Sequence, residues 1–320
     1  GSGGLSVASG AAQLGLDVVL FERGEMGGDC LNYGCVPSKA LLNVAHAMQT
    51  IRTASDLSID VGTPRVNWEG VKAHIKSVIA EIAPVDSQER FEGMGVNVVR
   101  ETARFINEKT IASESVEVEA RRIVIATGSK AVVPPVDGLK DRPYWTNENI
   151  FDIPELPEHL LILGGGPIGM EMAQSFRRLG SEVTVIEPGN LLSRDDPESV
   201  AVVVDRMEAE GVMFVRGKAA KVVPGALGSF TLSLEDGQEI AGTHLLLATG
   251  RKARVEGYGL EEIGVALGRN GIAVDERRRT SLKHIYAIGD CREGPRLTHV
   301  SGYEGSNVAL EITLGLPTKV

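Results

Sequence analysis

Apolar residues in this chain fall into short runs that are separated by glycine-rich turns. The run at residues 159–163 predicts a buried strand, because it is short, apolar and followed at once by three glycines. Residues 170–179 then have the pattern of a helix, and residues 182–186 predict a second strand that ends at Glu187. The pattern therefore predicts a strand–turn–helix–strand unit of an α/β protein.

The glycines of this turn have the spacing of a dinucleotide-binding site. Gly164, Gly166 and Gly169 form the pattern G-x-G-x-x-G. Glu187 lies 18 residues after Gly169, at the end of the second strand. The glycines let the backbone approach a pyrophosphate at the helix N-terminus, and the acid accepts hydrogen bonds from a ribose. Strand, turn, helix, strand and acid together predict a bound dinucleotide.

The same spacing occurs at the start of the chain. Glu22 lies 18 residues after Gly4, and in this register Gly1 is the second glycine of the motif. The first glycine and the strand before it would then precede residue 1. We therefore expect the chain to begin inside a second phosphate-binding loop. The alternative is that Gly-Ser-Gly-Gly is an appended sequence ahead of an ordinary helix.

Two further segments repeat behind the glycine motifs. Residues 122–128 and 245–250 each predict an apolar strand that ends in Ala-Thr-Gly. A strand predicted at residues 284–288 is followed by Gly289 and Asp290. This placement puts a carboxylate at the edge of a sheet where doubly wound folds bind ligands.

These repeats predict two lobes in one chain. The second lobe also contains a predicted helix at 202–210, a strand at 212–215 and alternating segments within 221–234. The first lobe carries a helical insertion at 35–82, and the turn-rich segment 133–138 marks the crossover. The predicted fold is α/β, with two Rossmann-like lobes that each have a parallel sheet and a small antiparallel β meander.

Composition narrows the function classes. The chain has 320 residues, 42% of them hydrophobic, and a net charge of −10. The negative charge argues against a nucleic acid or an anionic membrane as the main partner. No run approaches the length of a membrane span, and three cysteines are too few for a secreted disulfide framework. We expect a cytoplasmic protein.

Two of the cysteines, Cys30 and Cys35, lie five positions apart in GGDCLNYGCVPSK. A zinc or iron–sulfur site is not favoured, because no second close pair supplies the remaining ligands. A structural disulfide is also weak, since the loop is short and the cytoplasm is reducing. In an ideal helix such Cα atoms lie about 8.6 Å apart, too far for a disulfide. A bridge requires a distorted turn and is easily reduced, which favours a redox-active pair.

This stretch resembles the redox signature of the class I pyridine nucleotide–disulfide oxidoreductases, which include dihydrolipoamide dehydrogenase, glutathione reductase and mercuric reductase. The resemblance covers essentially the whole chain. A glycine motif, the cysteine pair, Ala-Thr-Gly, a second glycine motif, a second Ala-Thr-Gly and Gly-Asp occur in the order of the family. The resemblance implies FAD and NAD(H) as cofactors, and the spacing of the cysteines predicts no metal site.

The resemblance also implies roles for individual residues. Glu22 would bind the adenosine ribose of FAD, and Asp290 the ribityl chain. Cys35 would form the charge-transfer contact with the flavin, and Cys30 would be the interchange thiol that meets the substrate.

Lys39 would lie by the reactive nitrogen of the flavin and pair with Glu171, because a buried lysine needs a carboxylate partner. Cys291, which follows the Gly-Asp motif, is expected to be a small buried side chain. The remaining cofactor contacts are implied at Gly1, Gly4, Gly28, Ala126, Thr127, Gly128, Gly164, Gly166, Gly169, Glu187, Gly250, Arg251 and Gly289.

The domain organisation follows from the same resemblance. Residues 1–146 would form the FAD-binding domain with the redox helix, 147–266 the NAD-binding domain, and 267–320 a return to the first. The family continues into a dimerisation domain that supplies a His–Glu proton shuttle from the other subunit. None of the six histidines has the family's following Pro-Thr, so we expect this domain to lie outside the chain. The fragment alone is then expected to bind FAD poorly and to turn over weakly or not at all.

The expected function is electron transfer from NADH through FAD to the cysteine pair, and then to a small-molecule disulfide or a metal ion. The full-length protein is expected to be a homodimer. Two alternatives stay open. One is a redox-sensing module that binds flavin and nucleotide without turnover, and the other is a flavoprotein that reduces quinones or nicotinamides.

Overall fold

The computed structural model describes residues 1–225 and 229–319. The chain divides into two compact units. The first consists of Gly1–Asn32, Ala80–Lys130 and Arg251–Val320, and the second of Tyr33–Ile79 and Ala131–Gly250. Within residues 1–225 and 229–319, no helix is long and apolar enough to cross a membrane.

The chain folds into α-helices and β-strands, which alternate over residues 159–216. The helices are α1 (Ser2–Gln13), α2 (Gly28–Asn32), α3 (Cys35–Thr53), α4 (Trp68–Ile82), α5 (Gln88–Gly93), α6 (Pro167–Leu179), α7 (Pro197–Ala209) and α8 (Thr298–Leu314). The strands are β1 (Val18–Phe21), β2 (Val96–Val99), β3 (Arg104–Asn107), β4 (Thr110–Ala112), β5 (Glu117–Glu119), β6 (Ile123–Ile125), β7 (Ser129–Ala131), β8 (His159–Leu163), β9 (Glu182–Glu187), β10 (Met213–Arg216), β11 (Ala219–Pro224), β12 (Phe230–Leu234), β13 (Glu239–Gly242), β14 (His244–Leu247), β15 (Arg251–Ala253) and β16 (Ile285–Ala287).

The second unit contains a parallel sheet with the strand order β10-β9-β8-β14. Residues 160–163 of β8 are at most 3% exposed, so this central strand is covered on both faces. Such burial explains why its sequence is continuously apolar rather than alternating. β8 has the predicted bounds, and β9 ends at Glu187 as the pattern indicates.

Helix α3, which begins at Cys35, belongs to the second unit by its packing. Leu41 and Ala45 are fully buried in the same cluster as Met172 and Phe176 of α6. This contact places residues 33–79 with the second unit, whereas the sequence predicts them in the FAD-binding domain. The first unit also resumes at Arg251 rather than at residue 267. The units are defined by packing, and the predicted domain boundaries stay a prediction.

The first unit contains two parallel strand pairs, β1–β2 and β6–β16. Its helices α1 and α8 pack closely because small residues face each other. A Cβ on Gly10 would lie 3.0 Å from the Cβ of Ala309, and one on Gly305 would lie 2.6 Å from the carbonyl oxygen of Gly3. Larger side chains would separate the two helices.

Each unit also has a three-stranded antiparallel meander. Strands β3, β4 and β5 form the meander of the first unit, and β11, β12 and β13 form that of the second. The predicted fold class of parallel sheets with small antiparallel meanders is therefore confirmed.

Some elements differ from the sequence prediction at their ends. α7 begins at Pro197 rather than at residue 202, because the side chain of Asp196 accepts a hydrogen bond from the amide of Ser199 and caps the helix. The helical insertion predicted at 35–82 consists of two α-helices, α3 and α4, joined by residues 54–67.

The helix is also interrupted between the two cysteines. α2 ends at Asn32 and α3 begins at Cys35, with Tyr33 and Gly34 outside both helices. Gly34 has backbone angles of φ −128° and ψ −113°, which are not helical. The segment between Cys30 and Cys35 is therefore not a continuous helix, which is the condition that a bridge between the two cysteines requires.

Candidate functional site

At two of the three motif positions, the glycine loop of the second unit leaves no room for a side chain. A Cβ on Gly164, whose φ is +109°, would lie 2.3 Å from the carbonyl oxygen of Ala248. A Cβ on Gly169 would lie 2.0 Å from the carbonyl oxygen of Gly164. A Cβ on Gly166 would meet no atom within 4 Å. Gly164 and Gly169 therefore allow close packing of the backbone, whereas Gly166 faces open space at the start of α6.

Glu187 is held against this loop by two backbone amides. Gly165 donates to Oε2 and Gly189 donates to Oε1, each at 2.8 Å. A carboxylate has about four acceptor positions, so two of them stay available for ribose hydroxyls. Glu187 thus lies at the glycine loop, where the sequence predicts a ribose-binding acid.

Sequence reasoning missed a cation beside Glu187. Parallel pairing of β9 and β10 places Arg216 opposite Glu187. Along the chain, the first cation after Glu187 is Arg194, seven residues on, so spacing in the sequence does not indicate Arg216. Strand register determines this neighbour, and residues paired across parallel strands share one face of the sheet.

Alanine substitutions at Gly166 and Gly169 are expected to separate nucleotide binding from folding. For Gly166→Ala we expect unchanged thermal stability and NADH affinity lowered at least about tenfold, because this glycine leaves the backbone open to a pyrophosphate. For Gly169→Ala we expect a loss of about 1–3 kcal/mol in stability, because the methyl group overlaps a carbonyl oxygen. Thermal unfolding and NADH titration check both. Wild-type affinity in Gly166→Ala would contradict the assignment of the loop.

The first unit repeats the arrangement of the acid. Gly24 donates its amide to Glu22 Oε1 at 2.9 Å, as Gly189 does to Glu187, again two residues after the acid. The amino group of Gly1 lies 3.6 Å from Glu22 Oε2. In both units, the glutamate carboxylate thus accepts a hydrogen bond from the amide of a glycine two residues later.

Two further glycines of the first unit lie against other parts of the predicted cofactor loop, and Gly28 has a close backbone approach there. A Cβ on Gly28, whose φ is +66°, would lie 2.4 Å from the Cα of Gly1. A Cβ on Gly4 would lie 3.4 Å from the Cβ of Ala126. Gly1, Gly4, Gly28 and the Ala-Thr-Gly segment thus belong to one part of the first unit, as a cofactor cradle requires.

Each Ala-Thr-Gly segment is fixed by hydrogen bonds within its own unit. In the first unit, Thr127 Oγ1 donates to the carbonyl oxygen of Arg254 at 2.6 Å, and Gly128 has a φ of +75°. In the second unit, Thr249 Oγ1 donates to the carbonyl oxygen of Val132 at 2.9 Å, and Gly250 has a φ of +123°. Both glycines have left-handed backbone angles that L side chains rarely adopt.

Asp290 accepts a hydrogen bond from Ser129, a residue that sequence reasoning missed. Ser129 Oγ lies 2.6 Å from Asp290 Oδ2, and Arg251 Nε lies 2.7 Å from Ser129 Oγ. The signal that could have found Ser129 is its position directly after the first Ala-Thr-Gly. Asp290 is only partly exposed and follows β16 through a turn at Gly289, which has a φ of +66°.

The two cysteines of the signature belong to different helices. Cys30 is half-buried on α2 of the first unit, and Cys35 is exposed as the first residue of α3 in the second. Lys39 Nζ lies 2.7 Å from Glu171 Oε1, so α3 and α6 are joined by the ion pair that the resemblance implies. The side chains of Lys39 and Glu171 are 60% and 32% exposed, and the position of Lys39 beside a flavin stays a prediction.

Cys291 is fully buried, as expected from the sequence. Burial raises the pKa of its thiol to about 11, and its Sγ lies 3.3 Å from the carbonyl oxygen of Ile125. A thiol with this pKa stays protonated and unreactive near neutral pH. Cys291 therefore has no part in thiol chemistry.

The sequence model of the pyridine nucleotide-disulphide oxidoreductases matches residues 1–305. The chain belongs to this family. FAD and NAD(P)H are the cofactors of the pyridine nucleotide-disulphide oxidoreductases. The residues of the chain fit both cofactors. In each unit, a glutamate carboxylate accepts a hydrogen bond from a backbone amide and lies beside closely packed glycines.

Relatives in the family include enzymes with two kinds of substrate. The mercuric reductase of Streptomyces lividans is 36% identical over 319 residues, which are 97% of this chain and 67% of that enzyme. The dihydrolipoyl dehydrogenase of Geobacillus stearothermophilus is 31% identical over 329 residues, which are 100% of this chain and 69% of that enzyme. The chain spans only 59% of the mercuric reductase of Acidithiobacillus ferrooxidans.

A solved structure of the family has the same fold. It is a Cu(II) complex of RclA, the HOCl-induced flavoprotein disulfide reductase of Escherichia coli. The TM-score is 0.88 at 26% identity, over 100% of this chain and 70% of that one. The mixed α/β architecture is thus that of a flavoprotein disulfide reductase.

Proposed function

We propose that the whole protein passes electrons from NADH through FAD to a Cys30–Cys35 disulfide, and from the reduced pair to a disulfide or a metal ion. The chemistry that bound FAD supplies is two-electron transfer between NADH and this disulfide. Mercuric reductase and dihydrolipoyl dehydrogenase among the relatives support these two substrate classes. The full-length protein is expected to be a homodimer in the cytoplasm.

The observation that carries this proposal is the ion pair between Lys39 and Glu171. An exposed pair of this kind adds at most about 1 kcal/mol to stability, so folding does not explain why it joins α3 to α6. Lys39 lies one turn after Cys35 on α3, on the same helix face. A redox-sensing module that only binds nucleotides needs neither this lysine nor the cysteine pair, and an enzyme uses both.

The remaining residues hold the two nucleotides. Glu22 and Glu187 would each accept hydrogen bonds from a ribose, because their carboxylates are already oriented by amides at 2.8–2.9 Å. Asp290 would bind the ribityl chain, and the positive charge of Lys39 would stabilise negative charge on the flavin ring.

Thiol–disulfide exchange would then proceed through the two cysteines in turn. The Cys30 thiolate attacks one sulfur of the substrate disulfide, forms a mixed disulfide and releases the first substrate thiolate. The Cys35 thiolate attacks the sulfur of Cys30, restores the Cys30–Cys35 disulfide and releases the second thiolate. The two electrons thus pass to the substrate, and the cysteine pair is oxidised.

A thiol titration of the full-length FAD-loaded protein tests this function. Reduction by one equivalent of NADH is expected to reveal two more titratable thiols than in the oxidised protein. Cys291 does not contribute, because it is buried and its pKa is raised to about 11. The same increment in Cys30→Ser would contradict the assignment, and no increment in the wild type would favour transfer to quinones or nicotinamides. Turnover with lipoamide and with Hg²⁺ then distinguishes the two substrate classes.

A further inference from the structure

The guanidinium of Arg251 joins two carboxylates of the first unit. On one side, Arg251 Nη2 lies 3.2 Å from Asp29 Oδ2. On the other side Nε donates to Ser129 Oγ at 2.7 Å and lies 3.9 Å from Asp290 Oδ2. The side chains of Arg251 and Asp290 are 13% and 22% exposed, so the contacts on the Ser129 side are only weakly screened by solvent, whereas Asp29 is 43% exposed.

Two hydrogen bonds connect Arg251 to Asp290 through the hydroxyl of Ser129, and both donate in the same direction. Arg251 can only donate, so the oxygen of Ser129 accepts from Nε. The single hydroxyl proton of Ser129 is then donated to Asp290, whose Oδ2 lies at 2.6 Å. Ser129 is buried, so water does not compete well for these partners. The serine hydroxyl thus carries the guanidinium's interaction on to the carboxylate.

The turn at Gly289 and Asp290 forms a fixed end of this arrangement. The amide of Gly289 donates to Glu304 Oε2 at 2.8 Å, and Glu304 is 0% exposed. Arg278 and Arg292 also donate to the Glu304 carboxylate, at 2.8 Å and 3.0 Å from their Nε atoms. A buried carboxylate with this many donors strongly resists displacement.

Helix α2, at the other end, has little stability of its own. It has five residues, too few to be stable in isolation. Asn32 donates to the carbonyl oxygens of Met26 and Gly28, both at 2.9 Å, and Leu31 is buried. The position of α2 therefore depends on contacts such as the one between Asp29 and Arg251.

We propose that Arg251 is a positioning residue that ties the Cys30-bearing helix α2 to the Gly289–Asp290 turn, through Asp29 on one side and Ser129 on the other. The inference rests on the proposed function, in which Cys30 meets the substrate and Asp290 contacts the flavin. A change at either end is then felt at the other. Cofactor retention and the reactivity of Cys30 become energetically coupled.

A double-mutant cycle in the full-length FAD-loaded enzyme tests the coupling. Asp29→Asn is expected to raise the FAD dissociation rate, measured by flavin fluorescence, at least about threefold. Ser129→Ala is expected to change the rate of Cys30 alkylation by iodoacetamide in the NADH-reduced enzyme at least about threefold. Each substitution thus affects the end that it does not touch. The double variant is expected to show less than the sum of the two effects in free energy, because both remove the same connection.

Two matched variants serve as controls. Asp29→Glu keeps the carboxylate at a site that is 43% exposed, and is expected to restore both rates towards wild type. Lys252→Met removes the cation next to Arg251 in the sequence. Lys252 pairs with Glu256 rather than with Asp29 or Asp290, so this variant is expected to change neither rate. Additive effects in the cycle, or effects confined to the mutated end, would overturn the proposal.

Hydrogen exchange separates this inference from the proposed function. The amides of residues 28–32 are expected to exchange at least about threefold faster in Ser129→Ala than in the wild type, and this readout needs neither flavin nor turnover. Faster exchange with no new thiols after NADH reduction would support the connection and refute the proposed function. New thiols with unchanged exchange at 28–32 would overturn the connection alone.

Discussion

Replacing Cys35 by serine is expected to abolish disulfide turnover in the full-length FAD-loaded enzyme. It is also expected to remove the long-wavelength absorbance of the two-electron-reduced protein. A serine hydroxyl forms neither a disulfide nor a thiolate, so both signals depend on the sulfur. Absorbance spectra during NADH titration and assays with lipoamide check the two effects.

The matched substitution at Cys30 is expected to differ in its spectrum. Cys30→Ser also loses turnover, but leaves the Cys35 thiol without its disulfide partner, so the long-wavelength absorbance should be present before any reductant is added. Cys291→Ala is the control, because this buried side chain takes no part in thiol chemistry and both signals should remain. Spectra with the two cysteine variants exchanged would reverse the assigned roles.

NADH is expected to be preferred over NADPH by at least about a hundredfold in kcat/KM, which corresponds to about 2.7 kcal/mol. The reason is Glu187, whose carboxylate is fixed at the glycine loop by the amides of Gly165 and Gly189. For NADPH this carboxylate would face a 2′-phosphate of about −1.5 to −2 charge. Like charges at an interface cost several kcal/mol.

Arg216 lies opposite Glu187 on the neighbouring strand β10, so substitutions at both residues test this charge effect. Glu187→Gln removes the negative charge and keeps the cation, so kcat/KM for NADPH is expected to rise at least about tenfold. Adding Arg216→Met should reduce this gain without abolishing it, because the cation that favours the phosphate is lost while the repulsion from Glu187 is still relieved.

Glu182→Gln is the matched control for this cycle. Glu182 lies at the opposite end of the same strand, its side chain is 71% exposed, and the nucleotide ratio should not change. Equal use of NADH and NADPH by the wild type would show that Glu187 is not the discriminator.

The fold was largely predictable because its strongest signals are local. The buried strand β8, the glycine turn and Glu187 lie within residues 159–187, and burial, turn and pairing all act within that segment. The limits of α7 were less predictable, because its first turn depends on the cap at Asp196 and carries few buried side chains.

The contacts that complete the candidate site are long-range, and residue patterns alone do not show them. Lys39 and Glu171 are 132 positions apart, and only the family resemblance connects them. Resemblance did not predict their exposure, which depends on the surroundings of α3 and α6. The contacts of Arg251 with Asp29 and Ser129 join three distant segments, so no spacing in the sequence indicates them.

The separate cores of the two units have a consequence for unfolding experiments. The buried clusters around Phe176 and Leu232 lie within the second unit, and those around Ile285, Phe91 and Tyr286 lie within the first. Each unit can therefore lose its structure in a cooperative step of its own. A calorimetric scan of residues 1–320 is expected to give a van't Hoff enthalpy below the calorimetric enthalpy, so that one midpoint temperature does not define the stability of the chain.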